Sequence, residues 1–279
     1  MPNTKALSWD QAGSRKYETG VDHGVLYVQE ADGTYGNGVA WNGLTGVTET
    51  PSGAEETKLW ADNIKYLSIR SAEEFGGTIE AYTYPDEWQA CDGSASIVKG
   101  VHIGQQGRRP FGLSYRTVVG NDTELNEYGY KLHLVYGASV SPSERAYATI
   151  NDSPEAITFS WEFTTTPIEV PSSVGPNFKP TAILTIDTTE LDNGTENTNL
   201  IALEKILYGS DTGSHDIYTP VAEPSSASLS DYYELVEGEY VKTQDQEIDS
   251  EKTYYTKETV TGNYPTLPTP AEVYKMFAA

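Results

Sequence analysis

The sequence predicts a mainly-β protein, and three observations carry that expectation. Apolar and polar residues alternate with a period of two over several segments, Tyr is abundant, and turn residues punctuate the chain. The 20 Tyr residues favour strands, because aromatic and β-branched side chains pack well on a pleated surface. Alternation is cleanest between Phe111 and Pro167. There Tyr128, Tyr130, Leu132, Leu134 and Tyr136 fall on one face and Lys131 and His133 on the other, so His133 reads as a solvent-side residue. Ile157, Phe159, Trp161 and Phe163 alternate in the same way with Thr158, Ser160, Glu162 and Thr164. Successive strand side chains point to opposite faces, so both segments read as half-buried strands of an antiparallel meander.

The remaining elements follow in chain order. Residues 1–20 are polar, carry Trp9 and Tyr17, and read as an N-terminal arm. Short strands are expected at Val25–Val28, Ile64–Ile69, Thr78–Thr83 and Ile97–Ile103. Residues 31–58, rich in Gly, read as a long loop. Such loops are usually functional or disordered, and Trp41 and Leu44 within this one argue for docking on another surface. Ser71-Ala72-Glu73-Glu74 and Ser141-Pro142-Ser143-Glu144 have the form of capping boxes, predicting a brief helix at each. Asn151-Asp152-Ser153-Pro154 is a turn cluster.

A Pro-rich link, 167–180, precedes a strand expected at Thr181–Asp187. Leu200, Leu203 and Leu207 then form one stripe of an amphipathic helix stopped by Gly209. Thr269-Pro270-Ala271-Glu272 is a further capping box. The helix it starts presents Val273, Met276 and Phe277, a small apolar face expected to dock on its own core or on a neighbouring subunit. Between these helices residues 210–262 hold 12 acidic and 3 basic side chains, with the pairs Tyr232-Tyr233 and Tyr254-Tyr255. This block reads as a small β-rich insertion. The expected organisation is an arm (1–20), a β domain (21–214), an acidic Tyr-rich insertion (215–262) and a terminal helix that returns to the β domain (263–279).

Charge and composition narrow the function. With 41 acidic and 18 basic residues the formal charge is −23. That opposes nucleic-acid wrapping and binding to anionic membranes. It suits a highly soluble protein, or a surface that must not stick to DNA passing near it. Cys91 is the only cysteine, so no internal disulfide forms. No apolar run has the form of a signal peptide or a membrane span. The sequons at Asn121 and Asn193 read as chance matches.

Sites of chemistry are hard to find. Nucleophile elbows, phosphate-binding loops, HExxH and EF-hand motifs are missing from the sequence. Gly213-Ser214-His215-Asp216 holds Ser, His and Asp, but a triad converges from distant segments. His23, His102, His133 and His215 lack metal-ligand spacing. Asp86, Glu87 and Trp88, near Glu73, Glu74 and Glu80, leave a glycosidase pair beside a sugar-stacking aromatic as a rival reading. No catalytic, cofactor or metal residue is assigned. Lys99 to Arg116 is the one acid-free basic stretch. Its GQQGRRPFG segment, with Arg108, Arg109 and Phe111, is the best candidate to meet an acidic face of another copy.

Taken together, several segments resemble the major tail proteins of long-tailed, non-contractile bacteriophages. They are GVLYVQ (24–29), GVAWNGLTGVTETPSGAEETKLWADNIKYL (38–67), TIEAYTYPDEWQACDG (78–93), the RPFGLSYRT…LHLVYGA…SERAYATINDSPEAITFSWEFTTTP pattern (109–167), LEKILYGSD (203–211) and LPTPAEVYKMF (267–277). The resemblance implies a tail-tube β-sandwich or barrel-like body with a flanking α-helix. It implies homo-hexameric rings stacked into a tube around a tape measure protein, capped by tail terminator and distal tail proteins. Genomic DNA would transit the lumen without specific binding, and no membrane is involved. The location would be the virion tail, assembled in the bacterial host cytoplasm, and no enzyme activity or cofactor is implied. Interaction residues would be Trp9, Trp41, Leu44, Arg108, Arg109 and Phe111. One departure stands out. Residues 210–266 separate the helix from LPTP, where relatives of this kind pass quickly from one to the other. Within them YYELVEGEYVKTQDQEIDSEKTYYTK (232–257) resembles a Tyr-rich module inserted in various phage structural proteins. A different phage baseplate, decoration or carbohydrate-binding adhesin module is the alternative.

Overall fold

The computed structural model describes residues 7, 9–150, 152, 155–171, 174, 178–221, 224, 231–236, 239–243, 247–249 and 252–278. The chain divides into two compact units, Met1–Tyr208 with Pro265–Ala279, and Gly209–Tyr264. The fold is mainly β, as the alternation predicts.

In the first unit the strands are β1 (Tyr17–Val28), β2 (Val39–Ala40), β3 (Leu44–Glu49), β4 (Ser52–Gly53), β5 (Glu56–Ala61), β6 (Ile64–Arg70), β7 (Glu73–Glu74), β8 (Gly76–Ala81), β9 (Ala95–Val98), β10 (Val101–Ile103), β11 (Phe111–Asn121), β12 (Leu125–Val140), β13 (Phe159–Thr165) and β14 (Ile183–Asp187). The helices are α1 (Gln89–Asp92), α2 (Thr198–Tyr208) and α3 (Pro270–Phe277). The main sheet runs β2-β1-β11-β12-β13-β8-β3, with β14 also on β12. Its two ends are joined by one stretch of chain. Residues 39–49 pair with β1 at Val25↔Ala40 and with β8 at Leu44↔Ala81, which curls the sheet back on itself.

Each face of that sheet buries its own cluster. The inner one gathers Leu26, Ile79, Phe111, Leu113, Val135, Trp161 and Phe163 around Trp41 and Trp88. The outer one packs Leu132, Leu134 and Tyr136 of β12 under Leu200, Leu203 and Leu207 of α2 and Val273 of α3. Tyr27 and Tyr136 reach through this layer, donating to Leu207 O at 2.7 Å and Pro268 O at 2.9 Å. Because the strand period is two, even-numbered Leu132, Leu134 and Tyr136 share the outer face and Val135 the inner one, and even-numbered residues reach the inner cluster only if the parity changes. Gly137 makes that change: with φ +58 it forms a bulge, after which Ala138 and Val140 turn to the inner cluster. A Cβ at Gly137 would stand 2.4 Å from Thr166 O, so the position requires glycine.

Both long helices form as their signals predict. Asn197 caps α2, accepting from the Asn199 and Leu200 amides, and Gly209 at φ +79 follows its end. Thr269 and Glu272 complete a reciprocal capping box on α3, with Pro270 in its first turn. The α3 face docks on its own chain, where Met276 and Phe277 pack against the outer cluster.

The two other capping-box expectations are corrected. Glu73 and Glu74 form strand β7, and residues 141–150 carry no helix. Neither stretch continues into an apolar helical stripe, so no tertiary packing offsets the cost of nucleating a turn. The 31–58 loop is corrected too, since it contains β2, β3, β4 and the start of β5. Within 1–20, β1 already begins at Tyr17, and Asp122 holds the preceding residues by accepting from the Gly13 amide and pairing with Arg15. Ile157 lies before β13 and is exposed. The turn expected at Asn151–Pro154 falls largely outside the described residues.

The second unit is a four-stranded antiparallel sheet, β15 (Ser210–Pro220), β18 (Tyr255–Asn263), β16 (Tyr232–Val236) and β17 (Glu239–Lys242), in that order. Its small core holds Tyr232 and Tyr254. Ser210 pairs with Asn263, so the first and last strands of the unit start and finish side by side.

Candidate assembly surface

Hairpin β5–β6 is the most distinctive surface feature. Two residues, Asp62 and Asn63, both with positive φ, make its turn, the type I′ geometry that matches strand twist. The register places Thr57↔Ile69, Leu59↔Leu67 and Ala61↔Ile64 on one face and Glu56↔Arg70, Lys58↔Ser68 and Trp60↔Lys65 on the other. One face is therefore apolar and the other largely charged, with an ion pair between Lys65 and Glu56. Every residue of both strands is exposed; Ile64, for one, keeps 63% of its surface. Burying a Leu or Ile side chain is worth roughly 1.5–3 kcal/mol, and among the described residues this hairpin gains only part of it, since Leu59 and Leu67 keep about two-fifths of their surface and Ile69 more than half. An isolated two-stranded hairpin is marginal in water, and this one pairs with no other strand among the described residues.

A second hairpin, β9–β10, turns at Lys99-Gly100 and exposes Ile97, Val98, Val101 and Ile103. Trp9 is also exposed, which keeps it among the interaction candidates. Neither hairpin stands out in the sequence, where Ile64–Ile69 and Ile97–Ile103 each read as one short strand and β5 is not assigned; the expectation at Ile97–Ile103 is corrected, because Gly100 at φ +85 turns that stretch back on itself. The Asp62-Asn63 pair between two apolar alternations is the signal that identifies the first.

Three other interaction candidates are corrected. Trp41 is 4% exposed, with its ring centroid 4.6 Å from Trp88 and 5.8 Å from Trp161. Its Nε1 donates to Thr83 O at 2.9 Å. Leu44 packs against the same cluster, and Phe111 is fully buried, edge-on to Trp88. All three lie on or beside the stretches where the sheet closes or begins, so their own core takes them. Arg109 is exposed but pairs with Glu30 of its own chain. Arg108 donates to Val140 O at 3.2 Å.

The sites weighed for chemistry resolve differently. Trp88 is wholly buried in the inner cluster, so it offers no platform to a sugar. His133 is buried rather than solvent-facing. It stacks parallel on Tyr115 at 4.7 Å and faces Glu49 of β3, 3.5 Å from Nδ1, and Glu18 of β1, 3.9 Å from Nε2. Thr117 Oγ1 lies 3.0 Å from Nε2. Burial outweighs both carboxylates and lowers the His133 pKa. Cys91 is buried and its thiol is pushed up to about 12, so it is an unreactive core residue at neutral pH. The side chains of Ser214, His215 and Asp216 lie outside the described set. Among the described residues no cluster of three His, Cys, Asp or Glu is placed to hold a metal, and no helix is long and apolar enough to cross a membrane. Compared with known proteins, the chain matches no family model and no curated protein.

Proposed function

We propose that this chain is a structural protein that assembles with copies of itself into the tail tube of a long-tailed, non-contractile bacteriophage. The observation that carries the reading is the amphipathic β5–β6 hairpin, whose apolar face stays exposed among the described residues. The segment resemblance supports the same conclusion. So does a sheet curled back on itself with a helical layer on one face. In this reading hexameric rings stack around a tape measure protein, and tail terminator and distal tail proteins close the two ends. The hairpin docks on a neighbouring copy, and heterologous contacts close each ring. The acidic balance keeps DNA from adhering as it passes.

Electron microscopy of the purified full chain tests the proposal: rings or tubes with a central channel are expected. A monodisperse monomer at all concentrations would overturn it. The second unit serves as an internal control, since its paired ends allow removal with little strain. Replacing 211–262 by a short Gly-Ser linker should leave assembly intact if the unit decorates the outside of the tube.

A further inference from the structure

Arg108 lies in a concavity of about 520 Å³ at the end of the β11–β12 hairpin where Phe111 pairs with Ala138. The neighbouring cations are already matched: Arg109 pairs with Glu30, and Arg145 with Asp92, a carboxylate only 3% exposed. Among the described residues no carboxylate pairs with Arg108. A guanidinium has five N–H donors, and the contact to the Val140 carbonyl uses one of them. The floor beneath it is Gly93, at φ +82, where a Cβ would come within 2.7 Å of Arg108 Nε. Glycine thus lets the guanidinium lie against the backbone, and Ser141 and Gln105 help line the same hollow. Asp92 and Arg145 line it too and neutralise each other, so Arg108 leaves the hollow with one net positive charge in a chain of net charge −23.

The opposite end of the same hairpin has the complementary character. Asn121 pairs with Leu125 there, and Asn121 Oδ1 accepts from the Thr123 amide and hydroxyl and from the Glu124 amide, which fixes the turn. Asp122 is occupied by Arg15 and the Gly13 amide. Glu124 and Glu127 are exposed, and among the described residues neither carboxylate has a partner. The 11 residues of β11, at about 3.3 Å each, set the two ends roughly 35 Å apart.

We propose that the Arg108 pocket of one copy receives a carboxylate from the Glu124–Glu127 turn of a second copy, head to tail. The inference rests on the self-assembly reading and adds an address to it. A guanidinium and a carboxylate form paired, charge-assisted hydrogen bonds. Made head to tail, the contact is heterologous, so it repeats from copy to copy along the strand direction.

Charge reversal tests it on the full chain, by sedimentation and negative-stain microscopy over a concentration series. Arg108→Glu alone, and Glu124→Lys with Glu127→Lys, should each raise the concentration needed for assembly by about tenfold. The triple variant should restore assembly toward wild type, which also shows that the charges, and not misfolding, caused the losses. Added salt should weaken wild-type assembly. A triple variant no better than its parents, or an Arg108→Glu protein assembling like wild type, overturns the contact and leaves the self-assembly reading standing. A wild-type chain that never associates overturns both.

Discussion

Strand β13 and hairpin β5–β6 are written in the same alternating pattern and meet opposite fates. In β13 the apolar positions Trp161 and Phe163 are buried against Trp41, Trp88 and Phe111. In β5–β6 the equivalent row of Leu59, Ala61, Ile64, Leu67 and Ile69 faces outward, and every residue of the hairpin is exposed. Period-two alternation states that a face will be buried. It does not state in which molecule.

The largest effect on stability should come from the buried side of this comparison. Trp41→Ala removes a ring enclosed by Trp88 and Trp161 and frees the Thr83 carbonyl. A loss of about 3–5 kcal/mol is expected, read as a fall in denaturant midpoint with an unchanged slope. If the loss were below about 1 kcal/mol, the tryptophan cluster would not be the centre of the fold.

Much of the body was legible in the sequence, because its strands obey local rules. The Leu200-Leu203-Leu207 stripe, the capping box at Thr269 and the alternation in 128–137 all form the elements they signal, and the alternation in 156–165 does so from Phe159 onward. Other features depended on contacts distant in sequence. Trp41 sits in a Gly-punctuated stretch that reads as loop until β1 and β8 take its two ends. His133 looks solvent-facing because it alternates with leucines, yet β12 is covered on both faces. The parity change at Gly137 is invisible to a periodicity count. Of the interaction candidates, Trp41, Leu44 and Phe111 failed for one reason: a large apolar residue beside glycines looks exposed when the strand that covers it lies far along the chain.

A smaller effect is expected at the start of α3, which lies over the outer cluster. Thr269→Ala deletes the hydroxyl half of the capping box and should cost about 1 kcal/mol, while Thr269→Ser should cost less. Equal losses for the two would mean that the methyl group, and not the cap, matters there.

The pH dependence of the body should be narrower still. Burial holds the folded His133 pKa below its ordinary value of 6.5, despite Glu49 and Glu18 and with Lys131 opposing protonation. The unfolded chain therefore binds the proton first. The contribution of neutral His133 is fully present above pH 6.5 and is lost as pH falls through that value toward the folded pKa. His133→Gln should flatten the stability profile across this window and leave the carboxylate titrations below it. An unchanged slope would place the titration in another group.

The smallest effect on the isolated chain should come from the hairpin, and that is what makes it decisive. Leu59, Leu67 and Ile69 share its apolar face and are all exposed. Replacing all three with Thr keeps β propensity and removes only apolar surface. Exposed positions of this kind change stability by about 0.5 kcal/mol or less, so the melting midpoint should hold. If the hairpin docks on a neighbouring copy as proposed, assembly should be lost, because the same substitutions remove the apolar surface that such a contact would bury. Placing the substitutions on the polar face instead, with Lys58 and Ser68 changed to Thr, should spare both properties. If the apolar-face variant melts lower while still assembling, the hairpin belongs to the fold of its own chain, and the contrast with β13 disappears.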